Sequence, residues 1–456
     1  MKVKIRNKDD EQSRFSFARV DFNRHFWNSS GQFWRNIILL PIGFKKSITK
    51  DKHKVVLLPP IIQCKMQYSR LNIIISFPLL LIVIFYFARC FSEISKEEAQ
   101  AKTEKLFQKE LNKDNIQNAF LKVYSPSQEI DWNFVGGEFQ NGETVSQDNP
   151  FYTASIGKTF TSTAIAILVE QGRLDFEDKA MDYLPASVMA NLHTFEGKDY
   201  SCEITIAQLL QHTSGLPDYF EGKTIDGSPN IMEIMFADTE KFWTPIEMLD
   251  FTKEKMQPLF APGSAYSYSD TEYVLLGLII ENISKRSLHN FFEMHFFEPL
   301  KMEHTYMYSR SEPLKKTDKL SEIYAGDIEV SAMTSLSADW AGGGLVSTTG
   351  DLIKFQQALF TGKIVSEKTL ATMQNWVPET QGMDYGFGLR KISFKKLFPT
   401  LPDLTAIGHS GSTGSFMFYC PELNVFLSGS LNQTEEVKNA VVLMAEILSF
   451  IQQTNK

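Results

Sequence analysis

Eighteen consecutive uncharged residues, Leu71 to Ala88 ("LNIIISFPLLLIVIFYFA"), interrupt a chain whose other apolar positions recur at short, regular spacings. A run of that length, apolar on every face, predicts a transmembrane helix or signal anchor over 71–88 rather than a core helix. Pro78 is tolerated in a helix surrounded by lipid. Residues 89–117 follow as a charged, helix-prone stretch ("SEISKEEAQAKTEKLFQKELNKDNI" from Ser92) that predicts a stalk or first helix. "AFLKVYS" and "DWNFVGG" then read as strands. From Gly157 to Leu174 apolar residues return at helical spacing, and Gly172 offers a stop. Residues from about 184 to 345 are mostly helical patterning broken by Gly/Pro loops. The end reverts to closely spaced strands, "LTAIGHSG", "SFMFYCP" and "NVFLSGSLN", and closes with an amphipathic helix from about Glu435 to Gln452. Such short connections predict an antiparallel meander. Strands at both ends with helices between them predict an α+β fold. One antiparallel sheet is built from both chain ends and flanked by helices, with a mainly helical insertion over 184–345 and a membrane segment in front.

Charge sharpens the division. The 456-residue chain has a net charge of −8, yet residues 1–70 carry 15 Lys/Arg against 5 Asp/Glu, a net of +10 that leaves −18 for the remainder. This basic N-terminal segment, followed by an apolar run, points to a membrane rather than to nucleic acid. It places the amino end in the cytoplasm and the acidic remainder outside. Met66 starts "MQYSRLNIII", a short basic lead into the apolar run, so residues 1–65 are either a cytoplasmic tail or the product of a misassigned start. Of four cysteines Cys64 and Cys90 flank the apolar run, leaving only Cys202 and Cys420 in the part beyond it, which is no disulfide framework. The eight histidines show no metal-ligand spacing, so neither a metal nor a cofactor is expected.

The candidate chemistry begins in "FYTASIGKTF", Phe151 to Phe160. Its Gly-Lys-Thr looks like the end of a phosphate-binding loop, but that loop needs a glycine at the position of Tyr152. The other reading is Ser155-x-x-Lys158 at a helix start, where residues three apart share a face. The positive helix end and the lysine both favour a developing alkoxide. Alone, the spacing is equally that of a helix cap with a surface lysine. "PGSAYSYSDTEYVLLGLIIE" (Pro262 to Glu281) adds Tyr268 in a loop before an apolar helix, and "GHSGSTGSF" (Gly408 to Phe416) adds a strand with a turn. "LLQHTSGLPDY", "GGGLVSTTGDLIKF" and "YGFGL" complete an ordered set.

With these stretches in this order, the chain from about Ala119 resembles the serine β-lactamase-related family: class C β-lactamases, D-alanyl-D-alanine carboxypeptidases, D-aminopeptidases and related esterases. The resemblance implies a β-lactamase/transpeptidase-like catalytic domain over 118–456. It implies that Ser155 attacks a carbonyl and forms an acyl-enzyme. Tyr268, as phenolate or through Lys158, would take the serine proton, and the backbone N–H groups of Ser155 and Ser412 would form the oxyanion hole. Asp270, His409, Ser410 and Gly411 would contact substrate, His409 from an edge strand. His212 in "QHTSG" is read as a structural turn. Two positions depart from the family pattern. Tyr268-Ser269-Asp270 stands where Tyr-x-Asn is usual, placing a carboxylate within reach of Lys158. His409-Ser410-Gly411 stands where β-lactamases carry Lys-Thr-Gly, and a mostly neutral histidine would hold a β-lactam carboxylate less firmly.

The resulting expectation is an envelope serine hydrolase acting on a D-amino-acid peptide, carboxypeptidase-like, or on an ester; the partner is a small-molecule or peptide substrate, cell-wall peptide included. The alternatives are a β-lactam hydrolase and a catalytically silent cell-wall-binding or regulatory protein. The charge split carries a direct test of topology: a reporter fused after Lys456 is expected to work only outside the cytoplasm. A cytoplasm-dependent reporter that works in the same fusion reverses the orientation.

Overall fold

The computed structural model describes residues 93–454, so the basic segment, Met66 and the apolar run over 71–88 lie outside the described residues. Among the described residues no helix is long and apolar enough to cross a membrane.

Thirteen elements position the site. In chain order they are helix α1 (Lys96–Leu111), strands β1 (Asn118–Ser125) and β2 (Ile130–Gly137), and helices α2 (Gly157–Glu170), α3 (Asp270–Ser284) and α4 (Thr349–Phe360). Strands β3 (Val377–Thr380), β4 (Met383–Tyr385), β5 (Arg390–Ser393), β6 (Thr405–Ser410), β7 (Ser415–Cys420) and β8 (Val425–Ser430) follow, and helix α5 (Val437–Thr454) ends the set.

Ser95 caps α1 by accepting the Glu98 N–H, and Glu97 and Glu98 sit in the first turn, where the helix end is positive. Ala99, Thr103 and Phe107 recur every fourth residue and are buried. That stripe packs α1 against α5 and β2. The charged stretch 89–117 therefore supplies a first helix that is part of the domain, and its helix is not a free stalk.

The eight strands form one antiparallel sheet in the order β3-β4-β5-β6-β7-β8-β1-β2. Both chain ends meet near one side of it, where Phe120 of β1 pairs with Ser430 of β8 and Tyr124 with Phe426, and β2 forms the edge beyond. Alternation along each strand divides the core in two. Leu121, Val123, Phe416, Phe418, Val425 and Leu427 face the layer of α1 and α5. Phe120, Ile407 and Met417 join the larger cluster around α2, α3 and α4. Strands β3 to β5 extend the sheet beyond β6, which is consequently internal rather than an edge. Their sequence hides them, since they run only three or four residues and β3 contains Pro378.

Helix α2 is buried from Gly157 to Leu168. Its Phe160 stacks on Phe355 of α4 with ring centroids 3.7 Å apart and meets Phe296 edge-on at 5.8 Å. Each such phenyl group, taken from water, contributes roughly 2–3 kcal/mol. The Trp340–Gly344 segment packs between α2 and α3, a contact that Gly277 permits. A Cβ there would lie 2.7 Å from Ala341 Cβ and 2.9 Å from the Trp340 ring. This close packing brings the Gly342 carbonyl to the buried side of α2.

Candidate active site

The turn that carries Ser155 is fixed from both sides. Thr153 N–H donates to the Leu345 carbonyl at 2.8 Å, and the Thr153 carbonyl accepts the Ser415 hydroxyl at 2.7 Å. Between this anchor and α2, Ala154 adopts φ 47°, a left-handed conformation costing an alanine about 1 kcal/mol. Gly343 lies behind it, where a Cβ would come within 2.6 Å of the Ala154 carbonyl carbon. The strained turn exposes Ser155 to a cleft while Lys158, one turn on, is fully buried.

Lys158 Nζ reaches three acceptors. Ser155 Oγ is 3.3 Å away, the Gly342 carbonyl 3.1 Å, and Asp270 Oδ1 forms a short ion pair with it. These match the three donors of an ammonium group. Asp270, expected to reach Lys158, does so from the first turn of α3. Its own N–H donates to Asp218 Oδ1 at 3.1 Å. The Ser269 and Thr271 hydroxyls both donate to the Pro217 carbonyl, at 3.0 and 2.7 Å. The "LLQHTSGLPDY" stretch thus holds the start of α3 in place.

His212 belongs to that support. Its backbone has φ 59°, its carbonyl accepts the Ser267 N–H at 2.9 Å, and its ring packs on Tyr268 with centroids 4.3 Å apart. Burial, then the charges of Lys158, His409 and Arg390, push its pKa well below the usual histidine range, so the ring is a neutral wedge. The structural role read from the sequence fits this placement.

Tyr268 lines the cleft, and Lys158 Nζ sits 4.8 Å from its ring centroid. Burial first, then the Asp270 carboxylate, push its phenol well above 10; Arg390 and the hydrogen bond with Ser155 oppose them. The resting group is therefore a phenol. Tyr266, two residues earlier, does not line the cleft.

Ser410, Gly411 and Ser412 form the facing wall with Ser155. The Gly411 N–H donates to the Ser415 carbonyl at 2.8 Å, closing the turn that carries Ser412. His409 does not join them. It is fully buried in internal strand β6, with Nε2 3.0 Å from the Tyr385 hydroxyl and Nδ1 2.8 Å from the Ser410 carbonyl. Alternation turns its side chain to the face opposite Ser410. Burial and the neighbouring Arg390 and Lys158 charges hold its pKa well below the usual range. His409 thus stands behind the residues that border the cleft, with its ring centroid 6.5 Å from that of Tyr268.

Arg390 of β5 is the cation in the cleft wall instead. Its register partner is Gly408, which puts it on the Ser410 side; Nη1 donates to Ser410 Oγ at 3.0 Å, and Nε and Nη2 grip Glu379 at 2.7 and 2.6 Å. Sequence reading missed Arg390 although it directly follows "YGFGL". It also missed three acids in the cleft, Asp218, Glu221 and Asp339. Asp218 lies within "LLQHTSGLPDY" and Asp339 three residues before "GGGL", so both stood beside stretches already singled out. An apolar wall completes the cleft, with Phe220, Met232, Met235, Phe236, Val330 and Met333 among its residues.

Comparison with known proteins shows the family and the fold. Residues 103–449 match the family model described as Beta-lactamase. Penicillin-binding protein 4* of Bacillus subtilis (strain 168) is 30% identical over 272 residues, covering 56% of this chain and 55% of that protein. A putative D-alanyl-D-alanine carboxypeptidase of Salmonella enteritidis PT4 is 26% identical over 291 residues, covering 56% of this chain and 62% of its own. The chain thus spans less than two thirds of the length of either relative. The fold is similar to that of the D-amino acid amidase from Ochrobactrum anthropi SV3 complexed with L-phenylalanine amide (TM-score 0.64, 22% identity, 79% of this chain and 100% of that one). It is also similar to the octameric penicillin-binding protein homologue from Pyrococcus abyssi (TM-score 0.61, 22% identity, 76% and 77%).

Two pH-dependent outcomes follow from the site's charges. Asp270 raises the Tyr268 phenol, so Asp270→Asn removes that effect and is expected to shift the alkaline rise of Ser155 acylation to lower pH. Acylation rate against pH with one activated ester measures it, and an unchanged profile contradicts the electrostatic role. Asp339 behaves as a raised acid: burial, then Asp270, push it up to about 7. Because an unfolded Asp has its pKa near 4, the folded state retains a proton that the unfolded state loses between about pH 4 and 7. The parent therefore loses stability as pH rises through that window. Asp339→Asn, which lacks the ionisation, should gain on the parent from about pH 4 to 7 and then level off. Urea unfolding across that range checks the sign.

Proposed function

The chain belongs to the beta-lactamase family, and from that premise we propose that it is an envelope serine hydrolase that forms an acyl-enzyme through Ser155 and acts on a D-amino-acid peptide or an ester. The observation that carries the reading is the convergence at the strained turn: Ser155 Oγ lies 3.3 Å from Lys158 Nζ in a cleft also lined by Tyr268 and Ser412. The matched relatives named as a penicillin-binding protein and a putative D-alanyl-D-alanine carboxypeptidase support the substrate class. The envelope assignment rests on the basic segment and the apolar run over 71–88.

In this mechanism the Lys158 ammonium group, 3.3 Å from Ser155 Oγ, donates to it and stabilises developing negative charge there. The serine proton moves to the Tyr268 oxygen in its phenolate form. Oγ bonds to the substrate carbonyl carbon, and the carbonyl oxygen takes the charge against the N–H groups of Ser155 and Ser412. Collapse breaks the bond to the leaving group, which takes the proton from Tyr268. Water then attacks the ester, passes a proton to Tyr268, and Ser155 recovers it on release. Phenolate is a minority species at neutral pH, which is why the rate should climb on the alkaline side.

Arg390 and Ser410 supply hydrogen-bond donors for a carboxylate on the departing part of a peptide. This guanidinium changes the argument about β-lactams. A weak grip on the carboxylate was expected from a neutral His409, but that residue is outside the cleft and Arg390 is in it. β-Lactam hydrolysis therefore stays a second reading, and side-by-side turnover of D-alanyl peptides, short acyl esters and penicillins decides between them.

The first test concerns the nucleophile. A fluorophosphonate or fluorescent penicillin should label Ser155, and Ser155→Ala should abolish labelling while keeping the fold. Lys158→Ala and Tyr268→Phe should each slow acylation by roughly a hundredfold or more, the scale of losing general-base assistance. An adduct mapped to a different serine overturns the mechanism.

A further inference from the structure

Behind Tyr268 a histidine and a glutamate meet in full enclosure. His212 and Glu272, the latter in the first turn of α3, are both wholly buried. His212 Nδ1 and Glu272 Oε2 share a short hydrogen bond. The other oxygen, Oε1, accepts the Ser214 hydroxyl at 2.5 Å and the Ser214 N–H at 3.2 Å. Glu272 does not line the cleft, and the acylation steps make no use of it.

A glutamate against a histidine is ordinarily read as an ion pair, carboxylate with imidazolium. The remaining hydrogen bonds exclude that reading. Nδ1 also receives the backbone N–H of Ser269, at 3.3 Å. An amide N–H can only donate, so Nδ1 must present its lone pair. The proton between Nδ1 and Oε2 then belongs to the glutamate. An imidazolium would turn an N–H toward the Ser269 N–H and strand it. It would also carry a second unmet donor at Nε2, which is buried without a hydrogen-bond partner. A carboxylate beside a neutral ring protonated on Nδ1 strands the same Ser269 N–H. Only the neutral acid, donating to Nδ1, meets that amide, and buried donors are rarely left unmet.

The surrounding charges agree. Burial, then the charges of Lys158, His409 and Arg390, hold His212 well below its usual range. Burial is also the first cause that pushes Glu272 well above the carboxylate range; the Ser214 hydrogen bonds oppose it, and Asp270 and Asp218 add to it. The other groups around the imidazole are phenols, those of Tyr266, Tyr268, Tyr273 and Tyr385.

Two holds on Tyr268 pass through this one ring. The Ser269 N–H belongs to the peptide that joins Tyr268 to Ser269, so its bond to Nδ1 fixes the backbone carrying the phenol. The imidazole also lies against the phenol ring, with centroids 4.3 Å apart. We infer that Glu272 is a neutral carboxylic acid hydrogen-bonded to His212 Nδ1, and that through this bond it is a positioning residue for Tyr268. It keeps an acceptor in front of the Ser269 N–H and an uncharged ring against the phenol. An imidazolium there would favour the phenolate and a carboxylate would oppose it. The neutral pair does neither, so the ionisation of Tyr268 is left to Asp270, Lys158 and Arg390. The inference rests on the hydrolase reading only for the role of Tyr268 as base.

Two measurements on the full chain test it. The first needs no turnover: the infrared difference spectrum at pH 7 between the parent and Glu272→Gln. The variant should lose the carbonyl band of a protonated carboxylic acid. Loss of a carboxylate band instead overturns the neutral assignment. The second is acylation rate against pH with one activated ester. Glu272→Ala should slow acylation about tenfold, the scale of one buried hydrogen bond lost. Glu272→Gln should restore most of that rate, because its amide N–H donates to Nδ1 while its carbonyl accepts from Ser214. Its alkaline rise should stay at the parent's pH. A displaced rise overturns the neutral assignment, and a rate for Glu272→Gln as low as that of Glu272→Ala overturns the positioning role. So does a parent-like rate for Glu272→Ala. Should the alanine variant fail to fold, the spectrum and the glutamine profile decide by themselves. The infrared result is independent of which serine reacts, so failure of this inference and failure of the hydrolase reading are told apart.

Discussion

The buried ion pair between Lys158 and Asp270 organises the centre of the molecule. Lys158 is fully enclosed, and a charge in that position is costly unless every donor is met. Meeting them fixes three separate parts of the chain at one point. Helix α2 brings the ammonium, the start of α3 brings the carboxylate, and the Trp340–Gly344 segment brings a carbonyl oxygen. Gly342 must be a glycine for this convergence, since a Cβ there would meet Asp270 and lie 3.2 Å from Lys158 Nζ. Removing either partner of such a pair typically costs about 3–5 kcal/mol, because the survivor is left charged and alone. Ser155 is the fourth participant, so the group that reacts is positioned by the interaction that holds the core.

The site concentrates features that local stability alone would not choose. Ala154 is held left-handed, and several acids share one cleft. Asp218, Asp339 and Glu221 would each be better solvated at the surface. Their presence together marks the cleft as the place where packing has yielded to chemistry.

Much of this was legible in the sequence. Ser155 and Lys158 were placed by their spacing, Tyr268 and Asp270 by resemblance to the family, and the structure brings all four together. The outer strands β1 and β2 and the three closing strands show clean patterns and could be read directly. What stayed hidden has physical causes. Strands β3 to β5 are too short to display a period, and without them β6 looked like an edge. In the internal strand His409 is fully buried, behind the cleft wall and beside Tyr268. Arg390 was hidden for the same reason, since its position depends on pairing with Gly408 rather than on any local motif. Asp218 and Glu221 converge with Asp270 only through the fold of a loop, which no spacing rule describes.

The pairing of β1 with β8 has a consequence for how the protein comes into being. Phe120 meets Ser430 across nearly the whole described chain. A contact so distant in sequence forms late and slowly, because the intervening loop must be closed before pairing gives any return. The Ser412 side of the cleft lies between β6 and β7, and these join the early strands only through β8. During synthesis the helical region can collapse around Phe160 while β1 and β2 still wait for their neighbours, leaving strand edges open to other chains. The wall that completes the cleft, and the Ser415 hydroxyl that anchors the turn of Ser155, both come from the part of the chain made last. An unfinished chain carries Ser155 without the facing turn, so the order of synthesis itself keeps the site silent until the sheet closes.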